Sequence, residues 1–362
     1  MRNAVLFAIL LATGMVLSAW MGIDDSRRET GRAANLNTSQ RRPPLKEGEI
    51  LIWDPGSASP PAPRKAPAGG RAAAPNLPVH PAEPYAPIYE PAFASHPFYQ
   101  GTRQLIRLAR RLGAPRPDDW RSLVREPEQD FGQFVRNSRR ASGALVIQPI
   151  GDLPADQRRA VGHILDSLSA FFGMRAVCSA PIPLAGLPPQ CFRTGGGVRQ
   201  INAEALMALV LGPLVEGDVC SVIAVTNLDI YPGGNWPFAG AFGWSSFESG
   251  TAVVSTAMIL DRSRADRGRN LLRLTKLALH EATHTFGLKH CSRFNCLMNG
   301  TGNIRESDAK TLALCPDCLA KLSLVTGRGP ELHIEDMFGL CRAKGFSGDA
   351  RYYQLAMRLL KS

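Results

Sequence analysis

Three histidines and one glutamate lie within eleven residues of this chain, in the run H-E-A-T-H-T-F-G-L-K-H. His280 and His284 are four residues apart, so on a helix both imidazoles occupy one face, where they can bind one metal ion. Gly287 tolerates the backbone geometry of a sharp helix exit, which would return the chain to the metal at His290. Three protein ligands leave one position of a zinc ion open, which is typical of a catalytic site.

The glutamate of this run has a separate role. Glu281 follows the first histidine directly, so it can reach a water molecule at the metal without being a ligand itself. Such a carboxylate acts as the general base in metal-assisted hydrolysis. His-Glu-x-x-His alone arises by chance in about one chain of this length per hundred, and the added Gly287 and His290 make a chance match far rarer. The run therefore predicts a zinc hydrolase, with an ordinary exposed helical carboxylate as the alternative for Glu281.

A second metal signal begins at the residue after the third histidine. Cys291 with Cys296 and Cys315 with Cys318 have the two-pair spacing of a four-thiolate structural zinc site. Two disulfides would use the same four residues. The short Cys-x-x-Cys pair at the start of a predicted helix favours metal. We therefore expect two zinc ions per chain, one catalytic and one structural.

The segment from His280 to Leu322 resembles the archaemetzincins, the archaelysin family of zinc metallopeptidases in the metzincin clan. Their pattern joins HExxHxxGxxH to Cys-x4-Cys-x-Met and a later Cys-x-x-Cys, and each of these positions is occupied here. The resemblance implies an endopeptidase or aminopeptidase that acts on peptides or proteins. It also implies that Met298 forms the Met-turn, a hydrophobic floor beneath the catalytic zinc. The implied fold is α+β or α/β and metzincin-like, with a mixed, partly parallel sheet, an active-site helix and a C-terminal helical part.

The elements that position these residues begin near residue 144, where the chain becomes rich in apolar side chains. A strand, an amphipathic helix and a second strand, over 144–151, 155–173 and 175–182, predict a sheet with helical cover. Further strands are predicted over 219–231 and 251–260, and further helices over 201–214, 270–288 with Asn270 as N-cap, 306–322, and once or twice after Pro330. The resemblance makes the strand over 251–260 a candidate edge strand for substrate binding, with an ordinary core strand as the alternative. We place the peptidase domain over 143–345 and a C-terminal helix over 346–362.

The N-terminal part of the chain has a different composition. An uncharged apolar run over residues 4–23 predicts a signal peptide over 1–23, or an uncleaved membrane anchor of about twenty residues. Residues 24–100 hold fourteen of the 28 prolines, so we expect a disordered linker rich in Pro, Ala and Arg. The expected location is outside the cytoplasm, as a membrane-anchored, periplasmic or secreted protein.

Residues 101–142 supply much of the formal net charge of +11. Leucines interleaved with arginines predict a short basic amphipathic helix at the start of this segment. The helix either packs on the peptidase domain with its arginines in solvent or binds a membrane surface, and no nucleic-acid-binding motif accompanies it. Because the first cysteine is Cys178, this segment cannot silence the zinc through a thiolate, and an acidic residue such as Asp130 could do so instead.

Several questions stay open at the level of sequence. Four further cysteines could pair in three ways in an exported protein: Cys178, Cys191, Cys220 and Cys341. The alternative function is a catalytically silent, zinc-stabilised envelope protein that binds or tethers, and the intact Glu281 argues against it. The sequence sets no cleavage specificity and no oligomeric state. No tyrosine lies between Tyr231 and Tyr352, so the pattern offers no tyrosine as oxyanion stabiliser.

Overall fold

The computed structural model describes residues 95–361 except 125, 196, 234–239 and 260–266. The signal peptide or anchor predicted over 1–23 and nearly all of the linker predicted over 24–100 lie outside the described residues. In the part that is described, no helix has both the length and the apolar character needed to cross a membrane.

Strands in the described residues form two sheets. They are β1 (Ala144–Ile150), β2 (Arg175–Cys178), β3 (Phe192–Gly195), β4 (Val198–Asn202), β5 (Val219–Thr226), β6 (Asp229–Tyr231), β7 (Gly243–Ser246) and β8 (Thr251–Ser255). The five-stranded sheet has the order β2-β1-β5-β8-β7, in which β7 is antiparallel to β8 and the other neighbours are parallel. The three-stranded sheet has the order β3-β4-β6. The predicted fold class, with a mixed and partly parallel sheet, is confirmed.

The described residues also form helices. They are α1 (Pro97–Thr102), α2 (Trp120–Leu123), α3 (Phe131–Asn137), α4 (Ala155–Phe172), α5 (Ala203–Leu206), α6 (Arg267–His284), α7 (Ile304–Ala309), α8 (Pro316–Thr326), α9 (Pro330–Lys344) and α10 (Ser347–Lys361). A 3-10 turn over Arg103–Leu108 follows α1, and a π-helical turn over Met207–Leu211 follows α5.

Successive residues of the central strand β5 face two separate hydrophobic clusters, as the strand period of two requires. Ile223 and Val225 belong to the larger cluster, which includes residues of α4, α6, α8, α9 and α10. Val222 and Ala224 belong to the smaller cluster, which includes residues of β4 and α5. Because both faces are covered, the central parallel strands are continuous apolar runs.

The strand predicted over 251–260 is a core strand. It ends at Ser255 as β8, which pairs on both sides and is buried at all five positions. The sheet has two edge strands, β2 and β7. Strand β7 lies within residues 232–250, whose glycines and aromatic residues are typical of a loop or hairpin. The alternative of an ordinary core strand is therefore the correct one for β8.

Two other predicted elements are each two shorter elements in the structure, and one predicted N-cap is wrong. The strand predicted over 219–231 becomes β5 and β6, because the Thr226 hydroxyl accepts a hydrogen bond from Leu228 N at 3.2 Å and turns the chain into the second sheet. The helix predicted over 306–322 is two helices, since Pro316 is well suited to the first position of a new helix. Asn270 lies inside α6 and not at its N-cap.

The basic segment packs on the peptidase core. Leu105 and Leu108 are buried members of the larger cluster, whereas Arg103 and Arg107 are exposed. The segment forms a 3-10 turn over Arg103–Leu108 after α1, where a short amphipathic helix was predicted. This arrangement is the one expected from packing against the domain with the arginines in solvent.

Candidate metal centre and active site

Helix α6 presents the first two histidines of the site. His280 and His284 lie one turn apart in its last turns, and the helix ends at His284. The following turn contains Gly287 at a φ of +93°. A Cβ at this position would lie 2.5 Å from the carbonyl oxygen of Asn137, so both the backbone conformation and the space require glycine. This exit leads the chain back to His290, as predicted.

The three imidazoles converge on one point. Nε2 of His280 lies 3.0 Å from Nε2 of His284 and 3.3 Å from Nε2 of His290. Nitrogen ligands at 2.0–2.1 Å from a tetrahedral zinc ion stand about 3.3 Å apart. The spacing of the three nitrogens therefore fits a single zinc ion.

Each Nδ1 donates a hydrogen bond to an oxygen. The acceptors for His280, His284 and His290, in that order, are Leu297 O at 2.8 Å, Leu288 O at 2.5 Å and Glu126 Oε2 at 2.6 Å. Carbonyl and carboxylate oxygens only accept, so the proton of each neutral ring sits on Nδ1 and its Nε2 lone pair faces the centre.

Burial holds two of these rings in the neutral form. It lowers the pKa of His284 to about 3 and that of His280 well below its ordinary value. For Glu126 burial alone would raise the pKa, but the imidazole of His290 beside it and the hydrogen bonds from His290 and Trp120 outweigh burial, so the pKa is lowered. Neutral rings with their protons on Nδ1 repel one another through Nε2. A cation at the centre removes that repulsion, and three imidazole nitrogens suit zinc.

Glu281 lies beside the histidines and is 6% exposed. Burial raises the pKa of its carboxyl to about 7, although a hydrogen bond with the Ser245 side chain acts in the opposite direction. The edge strand β7 runs directly against it, because a Cβ at Gly243 would lie 2.5 Å from Glu281 Oε1. A carboxyl with a pKa near 7 can both take up and release a proton at neutral pH.

The four cysteines of the second cluster also converge. Their sulfur atoms all lie within 4.8 Å of one another, and Sγ of Cys291 is 3.8 Å from Sγ of Cys315. Thiolates bound at 2.3 Å to a tetrahedral zinc ion stand about 3.8 Å apart. Backbone N–H groups of Met298 and Cys315 donate to Cys296 Sγ at 3.5 and 3.3 Å. All eight cysteines are described residues and all are free, so the structure has none of the disulfides left open by the sequence.

The predicted Met-turn connects the two clusters. Met298 is fully buried, and its carbonyl oxygen accepts from Cys291 N at 2.8 Å. The preceding residue, Leu297, supplies the carbonyl that accepts from His280 Nδ1. One short loop therefore contacts a residue of each metal cluster.

The structure adds a buried lysine that the sequence did not indicate. Lys310 is 6% exposed, and its Nζ donates to the carbonyl oxygen of Asn299 at 3.2 Å. Burial lowers its pKa to about 8, and the negative charge of Glu281 acts in the opposite direction. A positive charge thus lies near the carboxyl of the site.

Two further neighbours of the site come from elsewhere in the chain, and no motif or spacing marks them. Ser245 is on the edge strand, and Glu126 is in the basic segment. Asp130, the acidic residue named from the sequence, does not have the expected role. Its Oδ1 accepts from Gln133 N at 2.7 Å and caps α3.

The segment that contains this site is similar in sequence to known proteins. Residues 236–324 match the family described as Peptidase family M54. Archaemetzincin-2 of Homo sapiens is 29% identical over 252 residues, which cover 58% of this chain and 68% of that protein. Archaemetzincin of Methanopyrus kandleri is 34% identical over 146 residues, which cover 40% of this chain and 77% of that protein. The crystal structure of an archaemetzincin from Methanopyrus kandleri matches at 26% identity with a TM-score of 0.43, over 52% of this chain and 97% of that one. The matched family model and the sequence similarity to archaemetzincins show that the chain belongs to the archaemetzincin family and is a zinc metallopeptidase.

Proposed function

We propose that this protein hydrolyses peptide bonds at a zinc ion held by His280, His284 and His290, with Glu281 as the general base. The observation that carries the proposal is the convergence of three Nε2 lone pairs beside a buried carboxyl. Zinc bound by three imidazoles acidifies a water molecule and polarises a carbonyl at its open position.

The chain's own residues then handle the proton and the substrate. Glu281 takes a proton from the attacking water and passes it to the leaving amine. The edge strand β7 pairs with the substrate peptide as an added strand, and the close approach of its Gly243 to Glu281 supports this role. Pairing of this kind orients the scissile bond and lowers the entropic cost of the reaction.

We assign a structural role to a second zinc ion, bound by the four clustered cysteines Cys291, Cys296, Cys315 and Cys318. Such a site keeps no open position, since four thiolates complete the tetrahedron. It would hold the start of α8 against the loop that contains Met298. The Met-turn floor beneath His280 would then depend on it.

The experiment is a cleavage assay on the full-length protein with a mixed peptide library, read by mass spectrometry. Wild-type protein should cleave, and the distribution of cuts separates an endopeptidase from an aminopeptidase. Glu281→Gln should lower the rate by about 10²–10⁴ while both zinc ions stay bound. Wild-type rates in this variant would contradict the role of Glu281. A wild-type protein that binds zinc but cleaves nothing would support the alternative of a silent binding or tethering protein.

We also propose that the protein is exported. The support is the uncharged apolar run over residues 4–23, which lies outside the described residues. Cell fractionation tests this proposal. Full-length protein in the cytoplasmic fraction would contradict export, and a soluble form that begins near Ala19 to Ile23 would favour a cleaved signal peptide over an anchor.

A further inference from the structure

The third histidine of the metal centre is held by a residue far from the motif. Glu126 Oε2 accepts a hydrogen bond from His290 Nδ1 at 2.6 Å, and 164 positions separate the two residues. The other two histidines, His280 and His284, donate instead to backbone carbonyls of the motif region itself. The carboxylate of Glu126 thus accepts the hydrogen bond from Nδ1 of the third ring, whereas main-chain carbonyls accept those of the first two rings.

Glu126 is itself held in place. Trp120 Nε1 donates to the same Oε2 at 3.3 Å, and the indole lies edge-on to the His290 ring with 5.3 Å between ring centroids. The carboxylate of Glu306 accepts from Trp120 N at 3.0 Å. Gly300 leaves the space for the indole, because a Cβ there would lie 2.3 Å from it. The carboxylate and the indole together fix one side of the His290 ring.

The segment that supplies this carboxylate is attached to the motif on both sides. Residues 110–112 pair with residues 293–295 through two backbone hydrogen bonds of 3.0 and 2.7 Å. On the other side Gln129, 5% exposed, donates from Nε2 to Gly287 O at 2.8 Å and accepts at Oε1 from Lys289 N at 3.2 Å. These contacts lie on both sides of Glu126 in the chain, so its carboxylate contacts the His290 ring in a fixed geometry.

We propose that Glu126 is a positioning residue for the third zinc ligand. Its carboxylate fixes the Nδ1–H tautomer and the orientation of the His290 ring, so that Nε2 points to the metal. This proposal rests on the proposed role of His290 as a ligand. Partners of this kind raise the basicity of the ligand, and their loss typically costs about 10- to 100-fold in metal affinity or activity. Glu126 does not touch the reacting atoms and acts through His290.

The test is the zinc affinity of the full-length protein, measured by competition with a chromophoric chelator. Glu126→Ala should weaken the binding of one zinc ion about 10- to 100-fold. Glu126→Gln keeps an oxygen that can accept from Nδ1, so it should restore most of the affinity. Glu128→Ala is the matched control, because Glu128 Oε1 accepts from Ser292 Oγ at the same 2.6 Å from the same segment without touching a ligand. The control should bind zinc as wild type does.

Two further readouts separate positioning from general stability. In the Co²⁺-substituted protein, Glu126→Ala should change the visible absorption of the three-histidine site, whereas Glu128→Ala should not. At saturating zinc, the kcat for a cleaved library peptide should fall while its KM stays the same. Glu126→Met fills the same volume without an acceptor and replaces the alanine variant if that one does not fold. Wild-type affinity and spectrum in whichever of these two variants folds would overturn the proposal.

His290→Ala distinguishes this failure from a failure of the proposed function. If His290→Ala binds both zinc ions with wild-type affinity, the ligand assignment itself is wrong. If His290→Ala loses a zinc ion and Glu126→Ala does not, the ligand assignment holds and only the positioning role of Glu126 is wrong.

Discussion

Burial has opposite effects on the individual residues of the site. It lowers the pKa of His280 and His284, so both rings are in the neutral form that binds metal. It raises the pKa of Glu281 to about 7, so this carboxyl can exchange a proton at neutral pH. The identities of these residues could be predicted from the motif. Their pKa values could not, because the burial depends on β7 and on other segments outside the motif.

Gly243→Ala tests the contact between β7 and Glu281, the proposed general base. The new Cβ would lie 2.5 Å from Glu281 Oε1 and 2.6 Å from its Cγ, so the carboxyl or the strand must move. A displacement of about 1 Å at such a site can cost roughly a hundredfold in rate. We expect kcat/KM to fall by about that factor while the zinc content stays at the wild-type value.

Gly339→Ala is the control for this substitution. Gly339 lies in α9, where an added Cβ would have no atom within 4 Å. Its replacement should leave activity unchanged and stabilise the protein by about 0.4–1 kcal/mol. Full activity in Gly243→Ala would show that the strand does not constrain Glu281.

His333 predicts a pH dependence of stability away from the metal sites. It is 3% exposed, its Nδ1 donates to Phe171 O at 2.9 Å, and burial lowers its pKa to about 4. The unfolded chain has a histidine pKa of about 6.5, so it binds more protons than the folded protein between about pH 6.5 and 4. This residue therefore destabilises the fold progressively as the pH falls through that window, and has no such effect above it.

The variant His333→Gln removes this titration and keeps a donor for the Phe171 carbonyl. Urea unfolding at about pH 7.5 and about pH 5 should show a loss of stability in wild type that is larger than in the variant by about 2 kcal/mol. The difference between the two proteins cancels the acid sensitivity of the metal ligands, which both share. Equal losses would show that His333 is not held neutral.

At the scale of elements, the parts that follow a local pattern could be predicted. The periodicity of α4 and α6 and the order of β1, α4 and β2 are local signals, and the structure has these elements, although β2 ends at Cys178 and not at residue 182 as predicted. The edge strand could not be found this way. β7 is four residues long and half-buried, without the alternation that marks a strand, and it forms because β8 offers an edge beside it.

Cys318→Ser tests how the element that begins at Pro316 supports the catalytic site. Loss of one thiolate should reduce the metal content from two zinc ions toward one and destabilise the domain. The loop with Met298 contacts both Cys291 and His280, so activity should fall although no catalytic residue is changed. Metal analysis, thermal unfolding and the peptide assay measure the three effects.

Cys220→Ser is the matched control. Cys220 is also buried and free, but it lies in β5 outside the cluster, and its Sγ donates to Ala144 O at 3.3 Å, a bond that a serine can replace. This variant should keep two zinc ions and full activity. Two zinc ions in Cys318→Ser would rule out the four-thiolate site.

Over the whole molecule, groups of residues that lie close together in the sequence could be predicted, whereas contacts between residues far apart in the sequence could not. All seven predicted metal ligands lie within the 39 residues from His280 to Cys318, and their spacing alone identifies both clusters. The contact between Glu126 and His290 spans 164 positions, and no spacing rule connects a single glutamate to a histidine so far away. The arginines of residues 101–142 predict that this segment lies at the surface. In the structure, its Glu126 and Gln129 also contact residues 287–290 of the metal-binding motif.

Two matched truncations test whether the peptidase needs this segment. A protein that starts at residue 95 keeps every contact named above, and one that starts at residue 143 loses Glu126 and Gln129. The shorter protein also loses Leu105 and Phe134, which are 1% and 0% exposed. Burial of each such side chain contributes about 1.5–3 kcal/mol, a large share of a typical stability of about 5–15 kcal/mol.

The longer protein should therefore bind two zinc ions and cleave peptides at the wild-type rate. The shorter one should melt at a lower temperature and lose the zinc of the three-histidine site at lower chelator concentrations, because both Glu126 and the Gln129 contacts to residues 287–289 are gone. Zinc affinity and cleavage rates of the two proteins measure the difference. If the shorter protein matches the longer one in both, residues 95–142 are dispensable for catalysis and the carboxylate of Glu126 does not hold the third ligand.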